Sequence, residues 1–200
     1  IHDGAQAAAC VALARAAGFG NVGIDLVAAI PGQGLAGWEE NLRRAVALAP
    51  EHVSAYGLIV EAHTPLHRMV EAGRVRVAST DLEAAMQERT MAVLEGAGYE
   101  HYEVSNYARP GFRCRHNCAY WSHAPYLGFG PSAHSFRPLA GGRRGRRWWN
   151  VAELREYLAR LARGLTPVEA EERLEAGQML RERIFLGLRS GGLALDRLAE

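Results

Sequence analysis

The chain has 200 residues, of which 48% are hydrophobic and 22% charged, a composition typical of a globular protein with one or two domains. The net charge of +1 argues against nucleic acid as a partner, and we find no apolar run of transmembrane length and no signal peptide. Three cysteines are too few for a disulfide framework, so a reducing, cytoplasmic location is expected.

The first part of the chain alternates helical and strand patterns. Asp3 is a suitable N-cap for an alanine-rich helix over Gly4–Ala17, and the apolar run Val22–Ala29 is typical of a buried parallel strand. Helical periodicity over Gly37–Leu48 is followed by a second apolar strand, His52–Val60. This alternation predicts βαβ units, and therefore an α/β fold with a parallel sheet or barrel.

The middle of the chain continues this pattern less regularly. Leu66–Ala72 is predicted to form a short helix, and a capping-box sequence at Thr80 predicts a longer helix that ends at Ala97. Tyr99–Asn106 is predicted to be a third strand. On this basis residues 1–137 are expected to form the barrel-like part of the protein.

A change of domain is predicted within the Arg- and Gly-rich segment 138–149, which is expected to be a solvated loop. The remaining residues, 150–200, are predicted to begin a helical domain without an intervening strand. Asn150 is the predicted cap of its first helix, and Thr166-Pro167 is the predicted start of its second.

Asp25 is a carboxylate within an otherwise apolar strand. A buried carboxylate without partners is costly, so Asp25 is expected at the C-terminal end of the strand, where α/β barrels bind ligands. The alternative, favoured equally by the spacing, is a carboxylate that accepts hydrogen bonds from neighbouring backbone amides. The following loop, Pro31–Gln33, lacks the Lys and Ser/Thr of a phosphate-binding loop.

Residues 99–135 contain an unusual density of imidazole, thiol and aromatic side chains between glycines and prolines. Such a segment suits a site for a flat or metal-bearing ligand. Cys114, His116 and Cys118 are possible zinc ligands. The pattern supplies only three donors, however, and on a helix His116 would point away from the two cysteines.

A second interpretation of the same segment involves a porphyrin. On a short helix His116 aligns with Tyr120, and Asn117 aligns with Trp121. An imidazole beside aromatic faces suits haem iron or stacking on a macrocycle. The third interpretation is structural, with Asn117 as a cap and Trp121 as a packing residue, and the residue pattern alone leaves all three open.

Several short motifs in the chain together resemble a known family. One set, Gly18–Asn21, Asp25-Leu26 and Pro31–Gln33, is similar to the radical-SAM family of oxygen-independent coproporphyrinogen III oxidases and their relatives. A second set resembles the HemW-type branch of that family. It consists of Glu103–Gly111, Cys114–Asn117, Tyr120-Trp121, Tyr126–Gly128 and Ala133–Ser135. Within this set, the pattern HNxxYW at residues 116–121 is specific to the HemW-type branch.

This resemblance implies the C-terminal part of a radical-SAM partial (β/α) barrel, followed by a mostly helical C-terminal domain. It also implies S-adenosylmethionine (SAM), a 4Fe–4S cluster and haem as ligands. Asp25 matches the acidic residue that contacts SAM. His116, Asn117, Tyr120 and Trp121 match the motif for haem handling, with His116 as a possible ligand of the haem iron.

The function implied by the resemblance is that of a haem chaperone. Such a protein binds haem and delivers it to haem-requiring acceptors such as respiratory enzymes. The resemblance is also compatible with a homodimer. The alternative is an oxygen-independent coproporphyrinogen III oxidase, which carries out oxidative decarboxylation with a SAM-derived radical. The pattern Cys-Arg-His-Asn followed by Tyr-Trp favours the chaperone.

The chain departs from the family pattern in three respects. It has no CxxxCxxC motif, so the cluster ligands are expected to precede Ile1, and residues 1–200 alone are expected to lack radical chemistry. No catalytic residue is assigned. Gly34 and His63 stand where family members commonly have Thr and Gly, and no role is assigned to His63.

Overall fold

The computed structural model describes residues 3–139 and 141–193. The chain divides into two compact units, Ile1–Cys114 and Arg115–Glu200, so the division does not fall within the segment 138–149. Residues 194–200, the end of the predicted helical domain, lie outside the described residues. None of the helices in the described ranges is both long and apolar enough to cross a bilayer.

The first unit contains one four-stranded sheet and four helices among its described residues. In chain order its elements are α1 (Gly4–Ala16), β1 (Gly23–Ala28), α2 (Leu35–Ala47), β2 (His52–Gly57), α3 (Pro65–Glu71), α4 (Thr80–Gly96), β3 (Glu100–Glu103) and β4 (Asn106–Ala108). The strand order is β1-β2-β4-β3. β1 and β2 are parallel, which confirms the predicted βαβ unit, whereas an antiparallel β3–β4 hairpin replaces the single third strand predicted there.

One face of this sheet forms the core of the first unit with α2 and α4. Trp38 and Leu42 of α2, Met86 of α4 and Val53 of β2 are each at most 1% exposed and belong to one apolar cluster. The indole N–H of Trp38 donates to the hydroxyl of Thr90 over 2.9 Å, so this buried donor is paired. The helix predicted over Gly37–Leu48 from its apolar periodicity therefore packs on the sheet through Trp38 and Leu42.

The helix caps explain where two of these helices begin. The Asp3 carboxylate accepts a hydrogen bond from the backbone N–H of Gln6 at 2.8 Å, and the Gln6 side chain accepts one from the N–H of Asp3. This capping box starts α1 where the sequence predicted it. The cap of α4 is Ser79, whose hydroxyl accepts from the N–H of Leu82, so the cap precedes the predicted Thr80 by one residue.

The second unit is built on a three-stranded antiparallel sheet. Its elements are α5 (Arg115–Trp121), β5 (His134–Pro138), β6 (Gly145–Asn150), α6 (Leu154–Ala162), β7 (Val168–Leu174) and α7 (Ala176–Leu188). The strand order is β5-β6-β7. Phe136 of β5, Leu174 of β7 and Met179 of α7 are each at most 2% exposed and form its apolar core.

Two predictions for this unit were wrong. Residues 145–149 belong to β6 rather than to a solvated loop, and residues 168–174 belong to β7 rather than to a helix. Both strands are rich in charged residues, which obscured their nature in the sequence. The charges pair across the sheet, Arg146 with Glu171 and Arg147 with Glu172, so that each strand supplies the counter-ions of the other.

The predicted role of Asn150 as a helix cap was also wrong. Asn150 is the last residue of β6, and its side-chain amide donates to the carbonyl of Gly130 over 2.9 Å. The cap of α6 is Glu153, whose carboxylate accepts from the backbone N–H of Glu156 at 2.7 Å. The chain therefore completes a strand where the sequence predicted a helix start.

Candidate functional site

The face of the first sheet that carries Asp25 has a row of polar side chains. Asp25 of β1 is paired with Ser54 of β2, Ser54 with Asn106 of β4, and Asn106 with Glu103 of β3. Residues paired directly across strands point to the same face, so the four side chains form one row. Asp25 is the third of the six residues of β1, so its predicted position at the C-terminal end of the strand was wrong. It is also exposed, which corrects the prediction of a buried strand, whereas Ser54, Asn106 and Glu103 are at most 5% exposed.

A bulge in β3 adds a fifth polar group to this row. The register shifts between His101 and Glu103, so the intervening Tyr102 turns to the face of the row. The Tyr102 hydroxyl lies 2.7 Å from Nε2 of His52 and accepts a hydrogen bond from the backbone N–H of Cys114 at 3.4 Å. This arrangement favours donation of the hydroxyl proton to His52 Nε2.

Of this row, only Asp25 was predicted from the sequence as a site residue. Within β2 the signal was present, because His52 and Ser54 alternate with the apolar residues Val53 and Ala55. Glu103 and Asn106 carried no such signal, since a bulge and a hairpin register bring them together. Such pairing is not visible in a linear pattern.

Oxygen atoms of this row have unused capacity to accept hydrogen bonds. Among the described residues, Oδ1 of Asn106 is buried without a hydrogen-bond partner. Glu103 Oε1 has a hydrogen bond of 3.3 Å from the backbone N–H of Ser105, which leaves further acceptor capacity on that carboxylate. Together with the exposed Asp25 carboxylate, these oxygens are complementary to hydroxyl or N–H groups of a polar ligand.

Burial of His52 leads to a testable pH dependence. Burial lowers the pKa of His52, although the nearby Asp25 and Glu103 carboxylates act in the opposite direction. The unfolded chain, with a histidine pKa of about 6.5, takes up a proton that the folded chain excludes, so stability should fall as pH decreases below about 6.5. In His52→Gln, which retains an acceptor for Tyr102, urea unfolding between pH 7 and 5 should show a shallower fall. An unchanged slope would contradict this assignment.

The predicted haem-handling residues lie on α5 in the second unit. The rings of His116 and Tyr120 are 4.8 Å apart at an interplanar angle of 80°, which confirms their predicted alignment on one helix face. Both side chains are exposed, whereas Asn117 and Trp121 are partly buried. The His116 imidazole is therefore accessible to solvent. Trp121 is more buried than His116, as expected of a packing residue.

Aromatic rings continue from Tyr120 into the interior of this unit. The Tyr120 ring lies 4.5 Å from that of Tyr126, and Tyr126 lies 6.0 Å from Phe136. Phe136 in turn is stacked on His123 at 4.6 Å and 7°. Reciprocal backbone hydrogen bonds of 2.9 Å hold Tyr126 against Phe136, so the ring series is fixed by the backbone as well as by packing.

An ion-pair network closes the inner end of this ring series. His123 Nε2 lies 3.0 Å from the Glu182 carboxylate, and Arg147 contacts both Glu182 and Glu172 at 2.7 Å. Burial lowers the pKa of His123, and the Glu182 carboxylate opposes this shift. This network was not predictable from local sequence patterns, because Glu182 is 35 positions from Arg147 and 59 positions from His123.

The arginines of segment 138–149 are mostly paired with carboxylates. Arg144 pairs with Glu175 at 2.9 Å, and Arg146 and Arg147 pair across the sheet as described above. Propionate groups of a porphyrin would therefore have to compete with existing partners at these positions. This argues against the arginines as a prepared anion site.

The described residues contain no group of three His, Cys, Asp or Glu that could hold a metal ion. The three thiols are unpaired, with Cys10 exposed on α1 and Cys114 and Cys118 partly buried. The zinc interpretation is therefore not supported.

The chain was compared with known proteins, and no family model matches it. It is 38% identical to the haem chaperone HemW of Mycobacterium tuberculosis over 99% of its length and half of that protein. It is 36% identical to HemW of Bacillus subtilis over 94% of its length and 48% of that protein. Over nearly its whole length the chain is similar to the HemW-type family. It spans about half the length of these curated relatives.

More distant relatives extend the comparison. A mitochondrial protein of Mus musculus, radical S-adenosyl methionine domain-containing protein 1, is 37% identical over 70% of this chain and 32% of its own length. The coproporphyrinogen III oxidase HemN of Escherichia coli, a radical SAM enzyme, matches in structure with a TM-score of 0.74. That match covers 99% of the chain and 47% of HemN at 20% identity, and it confirms the predicted fold class.

Proposed function

We propose that this protein binds haem and delivers it to haem-requiring acceptor proteins such as respiratory enzymes. The observation that carries the proposal is the exposed His116 imidazole, which stands edge-on to Tyr120 on α5. It lies in a chain that resembles haem chaperones over almost its whole length. A neutral imidazole nitrogen is a common axial ligand of haem iron.

The position of His116 suits a protein that must release its haem. An iron ligand enclosed in a deep pocket retains haem, because release requires the pocket to open. His116 is instead exposed, on a helix of only seven residues. A second protein can therefore approach the bound iron. Tyr120 provides an aromatic surface beside the ligand, and Asn117 and Trp121 support the helix through their partly buried side chains.

SAM is proposed as a second ligand, on the sheet of the first unit. The exposed Asp25 carboxylate is suited to accept hydrogen bonds from the ribose hydroxyls of SAM, and Asn106 Oδ1 is a further unpaired acceptor in the same row. A 4Fe–4S cluster, when bound, supplies electrons. The described residues offer no ligands for it, so no step is assigned to these residues through the cluster.

The alternative function is oxidative decarboxylation of coproporphyrinogen III. It is favoured by the structural match to HemN, but at 20% identity this match supports the fold alone. The bacterial relatives at 36–38% identity are haem chaperones. We therefore favour binding and delivery of haem.

Two measurements on the full-length protein separate these functions. Titration with haem should produce a Soret band that saturates at a defined stoichiometry. Anaerobic incubation with coproporphyrinogen III, SAM and a reductant should leave the substrate intact by mass spectrometry. Decarboxylated product together with an absent Soret band would replace the proposed function by the alternative.

A further inference from the structure

A cavity of about 290 Å³ lies beside α5 in the second unit. Its wall contains Tyr120 of α5, Tyr126, Phe136 of β5 and Phe185 of α7, together with the imidazole of His123. Aromatic faces thus dominate the lining. The volume is at the lower end of the range for small-molecule pockets, about 300–1,000 Å³, so the cavity suits part of a large flat ligand.

The charged residues that line the cavity already have partners. Arg147 is paired with Glu172 and Glu182, and Glu182 also contacts His123. The cavity therefore has no need of a counter-ion from a ligand. It favours an apolar, aromatic part of a ligand over a carboxylate.

The angle between His116 and Tyr120 determines how a porphyrin could reach this cavity. The nitrogen lone pair of an imidazole lies in the ring plane, and the bond from iron to an axial ligand is perpendicular to the macrocycle. A macrocycle bound to His116 is therefore perpendicular to the imidazole plane. The Tyr120 ring is inclined at 80° to the same imidazole, so ring and macrocycle can lie nearly parallel and stack.

Tyr120 links the iron ligand to the cavity. Its ring contacts both His116 and Tyr126, and it also lines the cavity. A macrocycle that stacks on Tyr120 would therefore lie next to a wall residue of the cavity.

We propose that this cavity binds the apolar edge of the porphyrin whose iron is bound by His116. The inference rests on the haem-binding function proposed above and adds a second point of attachment, which does not depend on iron. Phe185 is the wall residue most open to solvent, at 54% exposure, and covers the inserted edge. The propionate edge of the porphyrin then remains outside the cavity.

The test compares haem with metal-free protoporphyrin IX in the full-length protein. Phe185→Ala should weaken both probes at least about tenfold, because aromatic contact with the macrocycle is lost in both cases. Ala124→Phe, which fills the cavity, should do the same. Leu188→Ala is the matched control, since Leu188 is a 72% exposed apolar residue of the same helix that does not line the cavity.

The outcomes distinguish this inference from the proposed function. Haem binding that is weakened by His116→Ala but unaffected by Phe185→Ala and Ala124→Phe would overturn the inference and leave the proposed function intact. Wild-type protein that binds neither probe would overturn both. Circular dichroism and thermal unfolding of each variant establish that it is folded, and the half-exposed position of Phe185 makes unfolding by that substitution unexpected.

Discussion

His116→Ala should weaken haem binding to the full-length protein at least about tenfold and change the Soret spectrum of the haem that still binds. Loss of a group that merely orients a metal ligand already costs about 10–100-fold in affinity, so loss of the ligand itself should cost no less. The His116 side chain is exposed and its only ring contact among the described residues is Tyr120. The fold should therefore be unaffected, and spectrophotometric titration measures the effect directly.

The matched control is His67→Ala. His67 is a partly exposed histidine on α3 of the first unit, paired with the exposed Glu71 at 3.3 Å. Its removal should leave the haem titration and the Soret maximum unchanged. A spectrum and affinity that are the same in wild type and His116→Ala would exclude His116 as the iron ligand, whatever the total amount of haem bound.

Gly128→Ala should destabilise the second unit by about 3 kcal/mol, since overpacking of this kind costs roughly 1–3 kcal/mol and occasionally more. A Cβ at position 128 would overlap the backbone carbonyl oxygen of His134. The backbone cannot remain in place, so the hydrogen bond from the Gly128 N–H to the Ser135 hydroxyl would be lost. The adjoining bridge between Tyr126 and Phe136 would then be displaced.

The unfolding free energy in urea measures this effect, and haem affinity should decrease with it because the aromatic series is disturbed. Gly177→Ala is the control. Gly177 is on α7 of the same unit, and a Cβ added there would meet nothing within 4 Å. Alanine is favoured over glycine in helices by up to about 1 kcal/mol, so this variant should be as stable as the wild type or more so. Equal destabilisation by both substitutions would show that crowding at Gly128 is not the cause.

The sequence predicted the first unit better than the second for a physical reason. α2 and β1 follow from apolar periodicity, and both pack against a single core. β6 and β7 instead pair through charged side chains on adjacent strands, and the apolar core next to them, around Phe136, is small. Local patterns of hydrophobicity do not register pairing between residues more than twenty positions apart.

The candidate site shows the same difference between local patterns, which the sequence reveals, and pairing between distant residues, which it does not. The helical alignment of His116 with Tyr120 was predictable, because positions four apart share a helix face. The neighbours of Asp25 were not, since Asn106 and Glu103 reach its row through a hairpin and a bulge. Roles for Asp25 and His116 remain proposals that rest on resemblance and on accessibility.

The charge pattern of β7 has a consequence for association between copies of this protein. β7 lies at an edge of the three-stranded sheet, where unpaired backbone groups could recruit a strand from another chain. Glu169, Glu171, Glu172 and Arg173 make this edge strand highly charged. A second copy of β7 paired in parallel and in register would place identical charges opposite each other, and in any register it would add a strand of the same net negative charge. The charged residues that made β7 difficult to predict from the sequence therefore disfavour the addition of a strand from another chain to this sheet.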